Sequence, residues 1–333
     1  MSKLTIYIIN LKRSKDRYES MCERIAALLD SHPHLKDILE FEFFEAIDGR
    51  AGEHKRFSTY YDSKLSLWLR GKELSDGELA CFASHYLLWQ RCADQSKPCI
   101  IIEDDVLFSE HFAQGVREIL ESGYEYVRLM QLRVLKSSKP THAPHIHSTT
   151  QLCGGTQGYY LAPSAARKFL AHAKKWVFPV DDYMDMFYIH KVWIFVSVPY
   201  LLASNEALET NITDREALKP SKIRKLTREL SRLGLQVYRQ VFCIVHYWER
   251  KRLCKSPRNS ACTQSLLDLF GSASVTTDKV APSPRLQKQA NLTHNPRISG
   301  KPNAESKENT ESKESLESSF GTLDLDSESK KLA

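Results

Sequence analysis

The sequence lacks several patterns that would assign it to a common class of protein. Its eight cysteines include no C-x-x-C pair, so neither a zinc ribbon nor a thioredoxin-type site is expected. Their scatter through apolar segments is typical of reduced core thiols in a cytosolic protein. No run reaches the roughly 18 apolar residues of a membrane-spanning helix, and the first residues contain no apolar signal-peptide core. We therefore expect a cytoplasmic protein.

What the sequence does contain is an alternation of strand-like and helical segments. The 333 residues, of which 42% are hydrophobic, are enough to bury a substantial core. Strands alternating with helices as far as residue 202 predict an α/β fold with a mainly parallel sheet flanked by helices. Ser75 followed by Glu78 predicts a capping box at the start of one helix. Residues 141–150 are polar and are predicted to form a loop.

Residues 99–108 are the most informative segment, because an apolar run ends there in three consecutive carboxylates: Glu103, Asp104 and Asp105. The unbroken run predicts a strand that is buried on both faces. Ligands of open α/β sheets bind beyond the carboxyl ends of the strands. Hard divalent ions prefer oxygen ligands and often bridge carboxylates to phosphates. The segment predicts a metal that holds a nucleotide diphosphate, and a solvated acidic turn is the alternative.

The C-terminal part differs in composition from the rest of the chain. Residues 219–255 hold eleven Lys or Arg against two Glu, with Leu226, Leu230 and Leu233 at helical spacing. A basic amphipathic helix of this kind predicts contact with an anionic membrane surface. Nucleic-acid binding, which we do not expect, and ordinary packing are the alternatives. We predict a main domain over residues 1–215, a basic helical extension over 216–255 and a disordered tail over 256–333.

Six segments, in order, resemble glycosyltransferase family 25, which includes bacterial lipooligosaccharide galactosyltransferases and collagen-modifying relatives. They are residues 8–11 with Arg13 and Arg17, residues 44–49, residues 77–85, the Glu-Asp-Asp-Val run at 103–106, the glycine turn at 154–159, and residues 179–181. The resemblance implies a GT-A-like fold, a UDP-sugar donor and Mn²⁺ or Mg²⁺. It also implies that Glu103 and Asp105 bind the metal and that Asp104 supports them.

The remaining donor-site residues follow from the positions of these segments. Asn10, Arg13 and Arg17 come after the first strand, where a nucleotide would dock, and arginine offers several donors to phosphate; Arg17 could equally lie on a surface helix. Glu78 and His85 share a helix face that could meet the donor, although a helical histidine is often a satisfied core residue.

Three further groups complete the expected site. Arg128 could neutralise diphosphate or pair with Glu103 or Asp104. The glycines of the 154–159 turn, with Gly155 and Gly158 among them, allow close approach of the backbone to a sugar or phosphate. Sugar transfer with inversion, which the resemblance implies for the bacterial members, needs a base on the acceptor hydroxyl. The candidates for this base are Asp181, which matches the family motif, Asp182 and Asp185.

These expectations combine into one predicted function. We expect transfer of a hexose, galactose by the resemblance, from a UDP-sugar to a lipooligosaccharide or lipopolysaccharide acceptor, at the inner face of the cytoplasmic membrane. The alternatives are a UDP-glucose or UDP-N-acetylhexosamine enzyme, and an inactive relative that acts as a scaffold.

Overall fold

The computed structural model describes residues 3–205 and 222–255. The predicted boundary at residue 215 and the predicted tail, residues 256–333, lie outside these ranges. The strands are β1 (Leu4–Asn10), β2 (Leu39–Glu45), β3 (Cys99–Glu103), β4 (Val106–Phe108), β5 (Tyr126–Arg128), β6 (Lys139–Pro140), β7 (Ile146–Thr149), β8 (Gly158–Leu161), β9 (Ile194–Ser197) and β10 (Leu202–Ser204). The helices are α1 (Lys15–Ser31), α2 (Leu35–Ile38), α3 (Ser63–Arg70), α4 (Asp76–Gln95), α5 (Phe112–Ser122), α6 (Pro163–His172), α7 (Val180–Met184), α8 (Phe187–His190), α9 (Lys222–Val245) and α10 (Tyr247–Lys255), and a 3₁₀ helix covers Glu53–Phe57.

Eight of these strands form one sheet in the order β2-β1-β3-β8-β5-β9-β7-β6. β1 pairs in parallel with β2 and β3, and β5 pairs in parallel with β9. β8 lies antiparallel between β3 and β5, and β7 lies antiparallel between β9 and β6. Within the sheet, β8 and β7 therefore run against the common direction of the other strands. This mainly parallel sheet with flanking helices confirms the predicted fold class.

The acidic run lies at the edge of the sheet where β1, β2 and β3 end. The first four residues of β3 are buried, as the unbroken apolar run predicts for a strand covered on both faces. After two more residues the chain enters β4, a short strand that pairs with β10 and that the sequence did not predict. Asp104 and Asp105 form the turn between β3 and β4. The carboxylates are therefore held by a strand on each side.

Helix α4 covers the sheet beside this edge, and it begins with the predicted capping box. The Ser75 hydroxyl accepts the backbone N–H of Glu78 at 3.2 Å, and the Glu78 carboxylate accepts that of Ser75 at 2.8 Å. The apolar face of the helix carries Phe82, whose ring stacks on Trp176 with centroids 4.4 Å apart. Because buried aromatic pairs contribute strongly to packing, this contact fixes the helix against the chain that leads into α7.

The basic segment forms α9 and α10, and α9 packs against the domain. It contacts α3 and α8. Phe242 is only 7% exposed and lies near the rings of Phe187 and Trp193, at centroid distances of 6.0 and 5.4 Å. Another face of α9 leaves large apolar side chains exposed: Leu226, Leu230, Leu233, Val237, Val241 and Ile244. Ordinary packing therefore accounts for one face of the helix, and membrane contact by the other stays a prediction.

The predicted loop at residues 141–150 is wrong over its second half, which forms β7. Ser148 and Thr149 are polar but fully buried. The Ser148 hydroxyl accepts Nε of Arg250 at 3.0 Å, and the Thr149 hydroxyl donates to the carbonyl of Ser137 at 2.9 Å. Polarity was misleading here because these hydroxyls find partners inside the fold.

Candidate functional site

Asp104 anchors the acidic turn and is not open to solvent. Its side chain is buried, and its two carboxylate oxygens accept Nδ2 of Asn10 at 2.7 Å and Nη1 of Arg17 at 2.9 Å. Arg24 donates to the backbone carbonyls of Val106 at 2.8 Å and of Asp104 at 3.3 Å. The predicted donor residues Asn10 and Arg17 thus hold the turn in place, and Arg24 is a third anchor that sequence reasoning missed.

Glu103 faces the cavities beside α4 and receives hydrogen bonds from its own surroundings. Its carboxylate accepts the hydroxyl of Thr156, and Nε2 of His85 lies 3.9 Å away. Burial alone would raise the pKa of Glu103, but its interaction with His85, the hydrogen bond from the Thr156 hydroxyl and the charge of Arg17 hold the pKa below its usual value. Glu103 is therefore kept as a carboxylate, the form that binds a metal.

Asp105 is the acidic residue whose environment most favours a cation. Its Oδ1 atom is buried and accepts no hydrogen bond from the described part of the chain. Burial, followed by the charges of Glu103 and Asp104, raises the pKa of Asp105 to about 6. A divalent ion would satisfy the unpartnered oxygen and offset the repulsion. Glu103 and Asp105 thus fit a hard metal held by oxygen ligands.

A second set of metal-binding atoms lies close by but fits an ion less well. One ligand atom each from Cys81, His85 and Glu103 lies within 4.8 Å of the others. Burial raises the pKa of the Cys81 thiol well above its usual value, whereas thiolate is the form that binds metals.

The hydrogen bonds around His85 also disfavour metal binding by this residue. Tyr159 accepts the indole N–H of Trp89 at 2.8 Å, and its hydroxyl lies 2.8 Å from Nδ1 of His85. The indole can only donate, so the hydroxyl proton of Tyr159 is directed to Nδ1. The proton of the neutral imidazole is then on Nε2, which faces Glu103. His85 therefore packs between Glu103 and Tyr159, and Trp89 lies behind them as a residue that sequence reasoning did not place in the site.

Two cavities adjoin the acidic turn and share Cys81, Glu103 and Asp105 in their walls. The first, of about 450 Å³, lies between the ends of β1 and β2 and the start of α4. Its wall includes three of the predicted donor-site residues, Arg13, Arg17 and His85, and also Arg50, which was not predicted. Arg13 is ion-paired with Asp48. The three arginines provide guanidinium donors suited to a nucleotide diphosphate, and four carboxylates share the wall with them: Asp76 and residues 103–105.

The second cavity, of about 640 Å³, carries four of the remaining predicted residues. Its wall includes Glu78, Gly155, Asp181 and Asp182. Asp181 accepts no side-chain hydrogen bond from the described residues. Burial and then the charge of Asp181 raise the pKa of Asp182 to about 6. Glu78, besides capping α4, lies 3.4 Å from Arg70.

Helix α9 also contributes to this second cavity. Arg228, Arg232 and Leu235 lie in its wall, and both arginines pair with Glu229, at 2.8 and 3.3 Å. Residues of the predicted main domain and residues of the predicted extension therefore line the same cavity. Local sequence patterns could not indicate this contact.

Asp185 and Arg128 form a buried ion pair instead of facing either cavity. Nη2 of Arg128 donates to one Asp185 oxygen at 2.8 Å, and the backbone N–H of Gly154 donates to the other at 2.8 Å. Both side chains are 2% exposed. Nη1 of Arg128 also donates to the carbonyl of Gly155 at 2.5 Å. Arg128 thus pairs with Asp185 and not with Glu103 or Asp104, which was one of the two roles considered for it, and Asp185 is far less accessible than Asp181 or Asp182.

The glycine turn divides into two parts with different roles. Gly154 and Gly155 have φ of +67° and +72°, values that favour glycine. Gly158 begins β8, and a Cβ there would lie 2.2 Å from a methyl group of Leu202. A larger residue at position 158 would therefore clash with Leu202. This packing reason for glycine differs from the contact with the donor that was expected.

Comparison with known proteins agrees with this geometry. The family described as glycosyltransferase family 25 (LPS biosynthesis protein) matches residues 3–184. The chain belongs to glycosyltransferase family 25. The match begins in β1 and ends in α7, so it includes the acidic turn, both helix-capping residues of α4 and Asp181. The resemblance drawn from the sequence motifs is confirmed.

Relatives of this chain include proteins from animals and from a bacterium. Human procollagen galactosyltransferase 2 is 24% identical over 196 residues, which are 55% of this chain and 30% of that protein. Lipooligosaccharide biosynthesis protein lic2B of Haemophilus influenzae is 28% identical over 179 residues, 50% of this chain and 62% of that protein. The chain thus spans less than two thirds of either relative. Among the described residues, no helix has the length and apolar character needed to cross a bilayer.

Proposed function

We propose that the chain transfers a hexose, galactose, from a UDP-sugar to a lipooligosaccharide or lipopolysaccharide acceptor. One observation carries the proposal: the acidic turn lies where an arginine-lined cavity meets a cavity with accessible carboxylates. A donor whose diphosphate lies at the turn would present its sugar to the second cavity. The galactosyltransferase and lipooligosaccharide names of the relatives support the choice of sugar and acceptor.

In this mechanism the acceptor hydroxyl loses its proton to Asp181. The oxygen attacks the anomeric carbon as the bond to the UDP oxygen breaks, and the configuration is inverted. Glu103 and Asp105 would hold Mn²⁺ or Mg²⁺, which would supply Lewis-acid neutralisation of the departing diphosphate. Asn10, Arg17 and Asp104 hold the turn, and Arg13 and Arg50 face the nucleotide. Asp182 is the alternative base, because a raised pKa suits a group that accepts a proton near neutral pH.

Donor hydrolysis tests this proposal. Purified protein is incubated with UDP-galactose, UDP-glucose and the two UDP-N-acetylhexosamines, each with Mn²⁺, Mg²⁺ or EDTA. We expect metal-dependent release of UDP that is fastest with UDP-galactose. Preference for another donor would correct the sugar. Absence of hydrolysis and of UDP–Mn²⁺ binding would favour the scaffold alternative.

We further propose that the enzyme works at the anionic inner face of the cytoplasmic membrane, without binding nucleic acid. The exposed apolar residues of α9 support this, because such a face beside basic residues is typical of helices that lie in the membrane interface. Substituting Leu230→Gln and Ile244→Gln should weaken binding to anionic vesicles. The matched control is Leu65→Gln with Trp68→Gln, which removes exposed apolar side chains on α3. Equal binding by both double variants would contradict membrane contact through α9.

A further inference from the structure

A third cavity lies away from the acidic turn, where α10 meets the strand β6. Its volume is about 590 Å³, and none of its lining residues belongs to the two cavities described above. Lys139 comes from β6, and Arg250, Lys251 and Lys255 come from α10. No aspartate or glutamate is among the described residues that line it.

The charges of this cavity are not neutralised within the described residues. No ion pair there joins Lys139, Arg250, Lys251 or Lys255 to a carboxylate. Lys139 and Lys251 instead lie over the ring of Tyr247, at 5.8 and 5.9 Å from its centroid. Like charges gathered around one space repel each other and create a positive potential. An anion in the cavity would relieve that repulsion.

The cavity also has the rigidity of a formed site. Nε of Arg250 donates to the buried hydroxyl of Ser148 at 3.0 Å, which fixes the guanidinium while its two terminal nitrogens form no hydrogen bond with the described residues. The backbone N–H of His142 donates to the carbonyl of Cys254 at 2.8 Å, and Nδ1 of His142 lies 3.0 Å from the hydroxyl of Tyr124. These bonds join α10 to the chain around β6, so both walls of the cavity are held together.

We propose that this cavity binds a phosphate group. A phosphomonoester carries nearly two negative charges near neutral pH and three acceptor oxygens. It therefore matches a fixed guanidinium and three ammonium groups better than a single carboxylate does. The phosphate can belong to a soluble molecule or to a lipid headgroup. This inference does not depend on sugar transfer, because the cavity shares no residue with the proposed donor and acceptor cavities.

The test compares two triple variants that lose the same charge. One replaces Lys139, Lys251 and Lys255 with alanine, and the control replaces the exposed Lys64, Lys174 and Lys175. Calorimetry with inorganic phosphate and with glycerol 3-phosphate measures the soluble source, and sedimentation with phosphatidic acid vesicles, against phosphatidylcholine vesicles, measures the lipid source. We expect roughly tenfold or greater weakening, about 1.4 kcal/mol, for the cavity variant alone. If the triple variant does not fold, the single variant Lys255→Glu, at an exposed position, replaces it in the same measurements.

Each outcome has a defined meaning. Weaker binding of the soluble phosphates by the cavity variant supports the proposal with a soluble source. A loss confined to phosphatidic acid vesicles supports it with a lipid source. Equal weakening in both triple variants would show a general effect of net charge and would overturn the proposal. The proposal would also be overturned if the wild-type protein bound no soluble phosphate and the cavity variant bound vesicles as well as the wild type does. Loss of UDP-sugar hydrolysis is not a readout here, so failure of the proposed function would be seen separately.

Discussion

The two acidic groups of the site, residues 103–105 and residues 181–185, repeat one arrangement. In each group one carboxylate is buried and paired with an arginine: Asp104 with Arg17, and Asp185 with Arg128. The other carboxylates line a cavity: Glu103 and Asp105 in the first group, and Asp181 and Asp182 in the second. The carboxylates that look equivalent in sequence therefore separate into anchors and accessible groups.

This difference shows what burial contributes to the site. A buried carboxylate needs partners for both oxygens, and the amide, guanidinium and backbone donors around Asp104 and Asp185 provide them. Such pairs fix the turn and the start of α8 relative to the sheet. Two accessible carboxylates, Asp105 and Asp182, have pKa values that burial raises to about 6. The comparison predicts that anchors control stability and accessible groups control activity.

The largest expected effect is on stability at the second anchor. Asp185→Asn leaves the charge of Arg128 buried without a counterion, and removing one partner of a buried pair typically costs about 3–5 kcal/mol. Asp182→Asn removes a charge three residues away that forms no ion pair with an arginine among the described residues, and the free energy of unfolding of this variant should change by less than about 1 kcal/mol. Urea unfolding of both variants measures the difference. Equal losses would remove the distinction between anchor and accessible carboxylates.

The sequence predicted much of this fold but not the division between the carboxylates. Strands β1 and β3 and the Ser75–Glu78 cap depend on local patterns, and all were predicted correctly. The pairing of Arg128 with Asp185 joins residues 57 positions apart, and nothing in either segment indicates it. The contribution of Arg228 and Arg232 to the second cavity depends on how α9 packs. Family motifs marked which segments meet at the site, whereas only tertiary contacts show which oxygens are already occupied.

The next effect, in the first group, is on turnover. Asp105→Asn keeps the shape of the side chain and removes one proposed metal ligand. Loss of Lewis-acid stabilisation should lower the transfer rate at least about a hundredfold, or roughly 2.7 kcal/mol in the transition state. The control is Asp94→Asn, an exposed change near the end of α4. Steady-state rates over a range of Mn²⁺ concentrations measure the effect. Near-normal turnover by folded Asp105→Asn protein would refute the metal assignment.

A comparable but more selective loss is expected at Asp181. Asp181→Asn should slow transfer by roughly a hundredfold, a typical contribution of a general base. The affinity for UDP–Mn²⁺ should stay nearly unchanged, because the base acts on the acceptor. Single-turnover transfer and UDP titration separate these quantities. If Asp182→Asn shows this pattern and Asp181→Asn does not, the base is Asp182. Collapse of UDP binding with an unchanged rate per bound donor would assign Asp181 to the donor site.

The smallest effect is a pH-dependent gain in stability at Asp105. Burial raises the pKa of Asp105 to about 6 from an ordinary 3.8, so the folded protein binds this proton more tightly than the unfolded chain does. Stability from the protonated form is complete below pH 3.8 and is lost as the pH rises through 6. Asparagine stays neutral, so metal-free Asp105→Asn should be more stable than wild type at pH 8, on the order of 1 kcal/mol after allowance for partial exposure. At pH 4 the difference should nearly vanish. Urea unfolding in EDTA at both pH values, with Asp94→Asn as control, measures it, and a variant less stable than wild type at pH 8 would show that Asp105 is an anchor like Asp104.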